Sequence, residues 1–321
     1  MNRMPLTVIG GFLGAGKTTL LNRWLRESRG RRIAVLVNDF GALNIDAELI
    51  ASSAANTIAL TNGCVCCSIG DDLTGALIRV LTSEPRFDAV VIEASGVSDP
   101  WRIAQVGLAD PGLSLDGVIV LVDAGAVLDQ ARDPLLADSL QRQLKAADLI
   151  VINKTDLANG DERQQVRDWI ASVAGHTPVF ETSQAAVPLP MLTGAALPEA
   201  VHTDTAHGCS HAHHDHAHDH GELFDTWSQR PEAVLSAQAL RALLRDMPAG
   251  VLRLKGIVRT DEHGWAEVQF AGRHGSLRKA AAEPENGAAL VAIGLRGRLP
   301  APALDRLVSS SLLVLTPLGS R

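Results

Sequence analysis

Residues 11–18 read Gly-Phe-Leu-Gly-Ala-Gly-Lys-Thr, and no other segment limits the fold as tightly. Glycines at 11, 14 and 16 let successive backbone N–H groups turn inward and wrap phosphate oxygens. The flanks match what such a loop needs. Leu6–Ile9 is a short apolar strand running into it. Thr18–Glu27 has helical spacing, with Leu20, Leu21, Trp24 and Leu25 on one side. In this reading Gly11, Gly14, Ala15, Gly16, Lys17, Thr18 and Thr19 line a nucleotide's phosphates. Lys17 reaches the outer phosphates, the Thr18 hydroxyl ligates Mg²⁺, and the helix adds its positive end. A chance glycine turn would lack the strand before and the amphipathic helix after.

A phosphate loop of this kind belongs to a parallel sheet, and the chain supplies the strands. Ile33–Val37 is apolar without a break, as a strand buried on both faces should be. The same texture returns at Ala89–Ile92, Gly117–Val122 and Leu149–Ile152, with helical segments such as Asp71–Leu81 and Arg163–Ser172 between. After Thr182 the character changes. Residues 183–198 are rich in Pro and Ala, and His202–His220 is a low-complexity tract with eight histidines. Order resumes beyond Glu222: a helix is expected over Leu235–Arg245, strands over Val251–Val258, Ala266–Phe270 and Ala288–Ile293, and a helix over Leu304–Leu312. The expected fold class is α/β: a parallel-sheet P-loop domain over residues 1–185, a His-rich linker over 186–221, and a smaller α+β C-terminal domain over 222–321.

Bulk properties exclude some functions. A net charge of −7 provides no basic field for nucleic acid, and six Phe, five Trp and no Tyr make a poor base-stacking platform. Met1–Ile9 lacks the layout of a signal peptide, and no run approaches the ~18 apolar residues of a membrane span, so the cytoplasm is the expected compartment.

Asn153-Lys154-Thr155-Asp156 follows the strand Leu149–Ile152. The Asp156 carboxylate can accept from guanine N1–H and its exocyclic amine. Adenine offers neither donor, and a site built on such bonds rejects the lacking analogue by ~10⁴. Asn153 would brace the loop, and the Lys154 stem would lie along the base. Glu181-Thr182-Ser183, after Val179-Phe180, would close over the base or simply end a strand. Asp39 and Glu93 are acids at strand ends on the phosphate side, suited to Mg²⁺; Glu93 would otherwise orient the attacking water. Gly96 offers its N–H to the terminal phosphate, while Asp99-Pro100 reads as a helix start.

Cys64, Cys66 and Cys67 form a Cys-x-Cys-Cys motif after Gly63. Three thiolates in a tight loop suit Zn²⁺ or Cu⁺, leaving one position for a further ligand or water. Packing as small apolar groups and a vicinal disulfide are the competing readings. His207, His211, His213, His214, His216, His218 and His220 would hold metal weakly through interchangeable pairs, or form a solvated linker.

Together these residues resemble the CobW/YjiA-like metallochaperone GTPases, of the SIMIBI class of P-loop G proteins. The resemblance rests on GFLGAGKTTLL at 11–21, NDFG at 38–41, LTNGCVCCS at 60–68, IEASGVSDP at 92–100, LVDA at 121–124 and NKTD at 153–156. VLRLKGIV at 251–258 and Val291–Gly294 resemble that family's second domain. Two positions depart: Ala42 and Ala94 stand where the family often has Glu and a hydroxyl residue. The resemblance implies a GTPase that binds Zn²⁺ or Co²⁺ at the cysteines and passes it to a client metalloprotein, with GTP, GDP and Mg²⁺ as companions. Hydrolysis is expected to be slow without metal or client. Cobalamin synthesis and nitrile hydratase maturation are services some members perform. A metal store using the histidine tract, and a P-loop kinase for a small molecule, are the other readings. The sequence leaves a homodimer open.

Overall fold

The computed structural model describes residues 3–28, 30–37, 58–61, 71–193, 224–284 and 287–310. The chain divides into two compact units. One comprises Met1–Thr193 with the short pieces Phe270–Gly275 and Ala281–Glu283; the other comprises Gly194–Gln269, Ser276–Ala280 and Pro284–Arg321.

The first unit is built on seven strands: β1 (Met4–Gly11), β2 (Ile33–Val37), β3 (Ile58–Thr61), β4 (Ala89–Glu93), β5 (Leu113–Asp123), β6 (Leu149–Asn153) and β7 (Val179–Glu181). Their order is β3-β2-β4-β1-β5-β6-β7, and every pairing is parallel. Helices α1 (Lys17–Glu27), α2 (Asp71–Leu81), α3 (Pro100–Ala109), α4 (Val127–Arg132), α5 (Ala137–Ala146), α6 (Gly160–Ala174) and α7 (Leu189–Leu192) lie between and after them. The apolar runs are buried as their texture demands: all five residues of β2 and of β6 are inside. On α1 the stripe Leu20, Leu21, Trp24 and Leu25 is buried. Each such side chain contributes about 1.5–3 kcal/mol by leaving water.

The parallel arrangement matters because it delivers all the carboxyl ends to one edge. Register pairs Ile9 and Val37 with Glu93, and Asp123 with Asn153. The phosphate loop, the acid ending β4 and the Asn153–Asp156 segment therefore leave the same side of the sheet.

The second unit holds β8 (Phe224–Gln229), α8 (Ala237–Arg245), β9 (Val251–Thr260), most of β10 (Gly264–Ala271) and of β11 (His274–Lys279), β12 (Ala289–Leu295) and α9 (Ala301–Ser310). Its sheet runs β11-β10-β9-β12-β8, with β12 antiparallel to both neighbours. The helix expected over Leu304–Leu312 begins a turn earlier, at Ala301. The one expected from Leu235 begins at Ala237, because Ser236 caps it by accepting from Ala239 N–H. Leu235 instead extends beside Thr260. Among the described residues no helix is long and apolar enough to cross a membrane.

Candidate functional site: a phosphate loop tied to a base-reading loop

The loop between β1 and α1 folds as its glycines require. Gly16 takes φ 104°, and a Cβ there would collide with the Asn153 side-chain amide nitrogen. Only glycine lets the two loops approach this closely. Lys17 is buried, and its ammonium donates to the carbonyls of Gly11 (2.9 Å) and Phe12 (3.2 Å). That holds one positive charge across the mouth of the loop.

Asn153 ends β6 fully buried and works in both directions. Its Nδ2 donates to Ala15 O at 2.9 Å, and its Oδ1 accepts from Ala185 N at 2.8 Å. One side chain thus joins the phosphate loop to the segment after β7, 138 residues away in one direction and 32 in the other. Lys154 sits at φ 59° and its ammonium pairs with Asp123 Oδ2 at 2.7 Å. Thr155 bonds Thr182 O through its N–H (3.2 Å) and its hydroxyl (3.1 Å). Asp156 is exposed in the 3₁₀ turn Thr155–Leu157, its position set by these neighbours. Glu181 ends β7 and pairs with Arg167 of α6 at 2.6 Å.

Glu93, buried at the end of β4, accepts from the Thr18 hydroxyl at 3.1 Å. This pair presents hard oxygen donors side by side at the start of α1, and that donor set fits Mg²⁺. Beyond it, Gly96 lies on the phosphate loop: a Cβ there would stand 2.9 Å from Leu13 N. Asp99 caps α3, accepting from Trp101 N at 2.9 Å with Pro100 in the first turn, so these two residues start a helix.

Gln143 is a position at this site that the motifs did not reveal. It lies on α5, 1% exposed, between Leu140 and Leu144 on the buried face. Its Oε1 accepts from Gly11 N and its Nε2 donates to Gly96 O, both at 2.9 Å. The sign of each bond is forced, since a backbone N–H only donates and a carbonyl only accepts. The signal was a lone amide in the helical stripe Leu140, Gln143, Leu144.

Asp39, Cys64, Cys66, Cys67 and the histidines from His207 to His220 lie outside the described residues. Among the described residues no three His, Cys, Asp or Glu side chains group as a metal site. The chain leaves the carboxyl end of β3 at Thr61 and re-enters helix at Asp71, and the three cysteines fall in that interval.

A parallel sheet whose strand ends bring together a Gly-Lys-Thr loop, a carboxylate and an Asn-Lys-x-Asp segment defines a P-loop nucleotide-binding protein. The chain belongs to the CobW/HypB/UreG nucleotide-binding family: that model matches residues 5–181, over half of the chain. The cobalamin synthesis protein cobW C-terminal domain matches residues 224–312. Among similar proteins is a zinc chaperone CobW of Sinorhizobium sp, 33% identical over 289 residues, 79% of this chain and 81% of that one. A zinc chaperone YjiA of Escherichia coli K12 is 38% identical over 200 residues, 60% of this chain and 61% of that one. A zinc-regulated GTPase metalloprotein activator 1 of Schizosaccharomyces pombe is 32% identical over 193 residues, 57% and 46% of the two. The match therefore spans less than two thirds of the length of the last two.

Proposed function

We propose that this protein is a GTPase that carries Zn²⁺ to a client metalloprotein and couples its grip on the metal to the bound nucleotide. The observation that carries the nucleotide half is the double bond of Asn153, to Ala15 O and to Ala185 N–H. It joins the loop read as phosphate-binding to the segment read as guanine-selective. The cargo half is supported by the Cys64, Cys66 and Cys67 thiols and by the names of the zinc chaperones it resembles.

In this reading Asp156 accepts from guanine, and Lys17 and the backbone of Gly14–Thr19 take the phosphates. Thr18 and Glu93 would hold Mg²⁺, with Asp39 contributing, and the ion would neutralise charge on the outer phosphates. The contact between Glu93 and Thr18 supports a role on the ion side over one on the attacking water. Water attacks the terminal phosphorus, the bridging oxygen leaves with GDP, and inorganic phosphate departs. Zinc is the cargo favoured here, with Co²⁺ as a competitor to be tested. The histidines 211, 213, 214, 216, 218 and 220 supply weak auxiliary metal sites in the 186–221 linker. The proposed domains are 1–185 and 222–321, with the first compact unit running on to Thr193, and the cytoplasm is the proposed compartment.

The cysteine segment joins β3 to α2, and β3 ends on the same edge as the nucleotide loops. A nucleotide that reorders that edge will change metal affinity, and the coupling must run in both directions. The test is a zinc titration against a competing chelator without nucleotide, with GDP–Mg²⁺, and with a non-hydrolysable GTP analogue. Wild type should bind zinc most tightly with the analogue, and Cys66→Ala should abolish the difference. Equal affinity in all three states would sink the coupling.

A further inference from the structure

The geometry points to Gln143 as a positioning residue that holds Gly96 against the phosphate loop and so sets the preference for nucleoside triphosphate over diphosphate; this rests on the nucleotide-binding reading above. Three observations carry it. Gln143 bonds both partners at once, Gly11 N–H and Gly96 O, each at 2.9 Å. Gly96 sits so close to the Leu13 backbone that no side chain fits between them. One turn earlier on the same face of α5, the Ser139 hydroxyl donates to the next carbonyl, Val97 O, at 3.3 Å.

Helix α5 therefore grips two successive carbonyls of the segment after β4 and, through Gln143, ties them to the first glycine of the phosphate loop. The remaining hydrogen-bonding group of Gly96 is its N–H, the group read as meeting the terminal phosphate. A segment already fixed against the loop loses little freedom when that phosphate arrives. A segment cut loose must be ordered at the moment of binding, and only a triphosphate demands it. Diphosphate binding, which ends on the loop itself, does not use Gly96.

Gln143→Leu preserves the size of the side chain and extends the apolar stripe of Leu140 and Leu144, while deleting both bonds. The full-length protein would be titrated with GDP and with a non-hydrolysable GTP analogue, each with Mg²⁺. The ratio of the two affinities should shift about tenfold toward GDP, equivalent to ~1.4 kcal/mol and of the size expected for one buried hydrogen bond. A purely structural role would weaken both nucleotides alike and leave the ratio unchanged, and that result would overturn the assignment. Ser139→Ala repeats the test at a half-buried position, removing only one hydroxyl. It should shift the ratio in the same direction by about two- to threefold, and no shift there would likewise count against the clamp. Wild-type protein that bound neither nucleotide would overturn the nucleotide reading itself, which separates the two failures.

Discussion

The two sheets of this protein use their polar side chains differently. In the first unit the polar bonds that matter are buried and reach far along the chain: Gln143 to Gly11 and Gly96, Asn153 to Ala15 and Ala185. In the second unit they lie nearer the surface, as with Arg241 to Glu262, or Trp227 and Gln229 to Asp305. A buried hydrogen bond that loses one partner leaves the other stranded, whereas an exposed one is replaced by water. Substitutions in the first network should therefore be costly and specific, and those in the second mild and dependent on pH.

The largest effect is expected at Asp156, the exposed tip of the buried network. Asp156→Ala removes the acceptor for guanine's two donors, so the preference for GTP over ATP should fall by about 10³-fold or more in competition binding. An unchanged preference would show that Asn153 braces a loop that does not read the base. Lys17→Ala comes next. Losing the charge that two carbonyls hold at the loop should lower kcat/KM for GTP by about 10²–10³-fold, and the stranded carbonyls of Gly11 and Phe12 should lower Tm as well. An unchanged kcat/KM would mean that the lysine serves only to close the loop. Asn153→Ala strands Ala15 O and Ala185 N–H together and should cost about 2–4 kcal/mol in denaturant unfolding. If the loss were as small as that at a surface pair, the contrast between the two units would fail.

The same contrast explains what could be read from the sequence. Long apolar runs such as Ile33–Val37 and Leu149–Ile152 declare themselves because central parallel strands are buried on both faces. The strands that escaped detection, Ile58–Thr61, Phe224–Gln229 and His274–Lys279, are all edge strands in their sheets. The last two carry polar residues such as Asp225, Ser228, Ser276 and Arg278, which edges tolerate and which erase the apolar texture. In the candidate site, Lys17, Thr18 and Asn153 could be picked out because a phosphate or guanine site would fix residue type at fixed spacing, and the structure brings their loops together. Gln143 could not, because its partners are backbone groups 132 and 47 residues away, and backbone groups leave no letter in the sequence.

The smallest effect belongs to the second unit and is a matter of acid. Asp305 on α9 accepts from the Trp227 indole N–H and from the Gln229 amide, both at 2.8 Å. Those donors favour the carboxylate and hold its pKa below the ordinary 3.8. A carboxyl lowered by folding adds stability that is complete above its unfolded value and is lost as pH falls through the folded one. The part of the second unit's stability that comes from Asp305 should therefore be constant near neutrality and be lost only below about pH 4. The indole N–H resonance of Trp227 reports this directly. In wild type it should titrate with a midpoint below 3.8, and in Asp305→Asn it should not move over that range, because an amide has no proton to gain there. Tm at pH 7 should stay within about 2 °C between the two proteins, since the amide oxygen still accepts. A midpoint at or above 3.8 would mean that the two donors do not hold the carboxylate in solution, and that this corner of the second sheet is bonded to water instead.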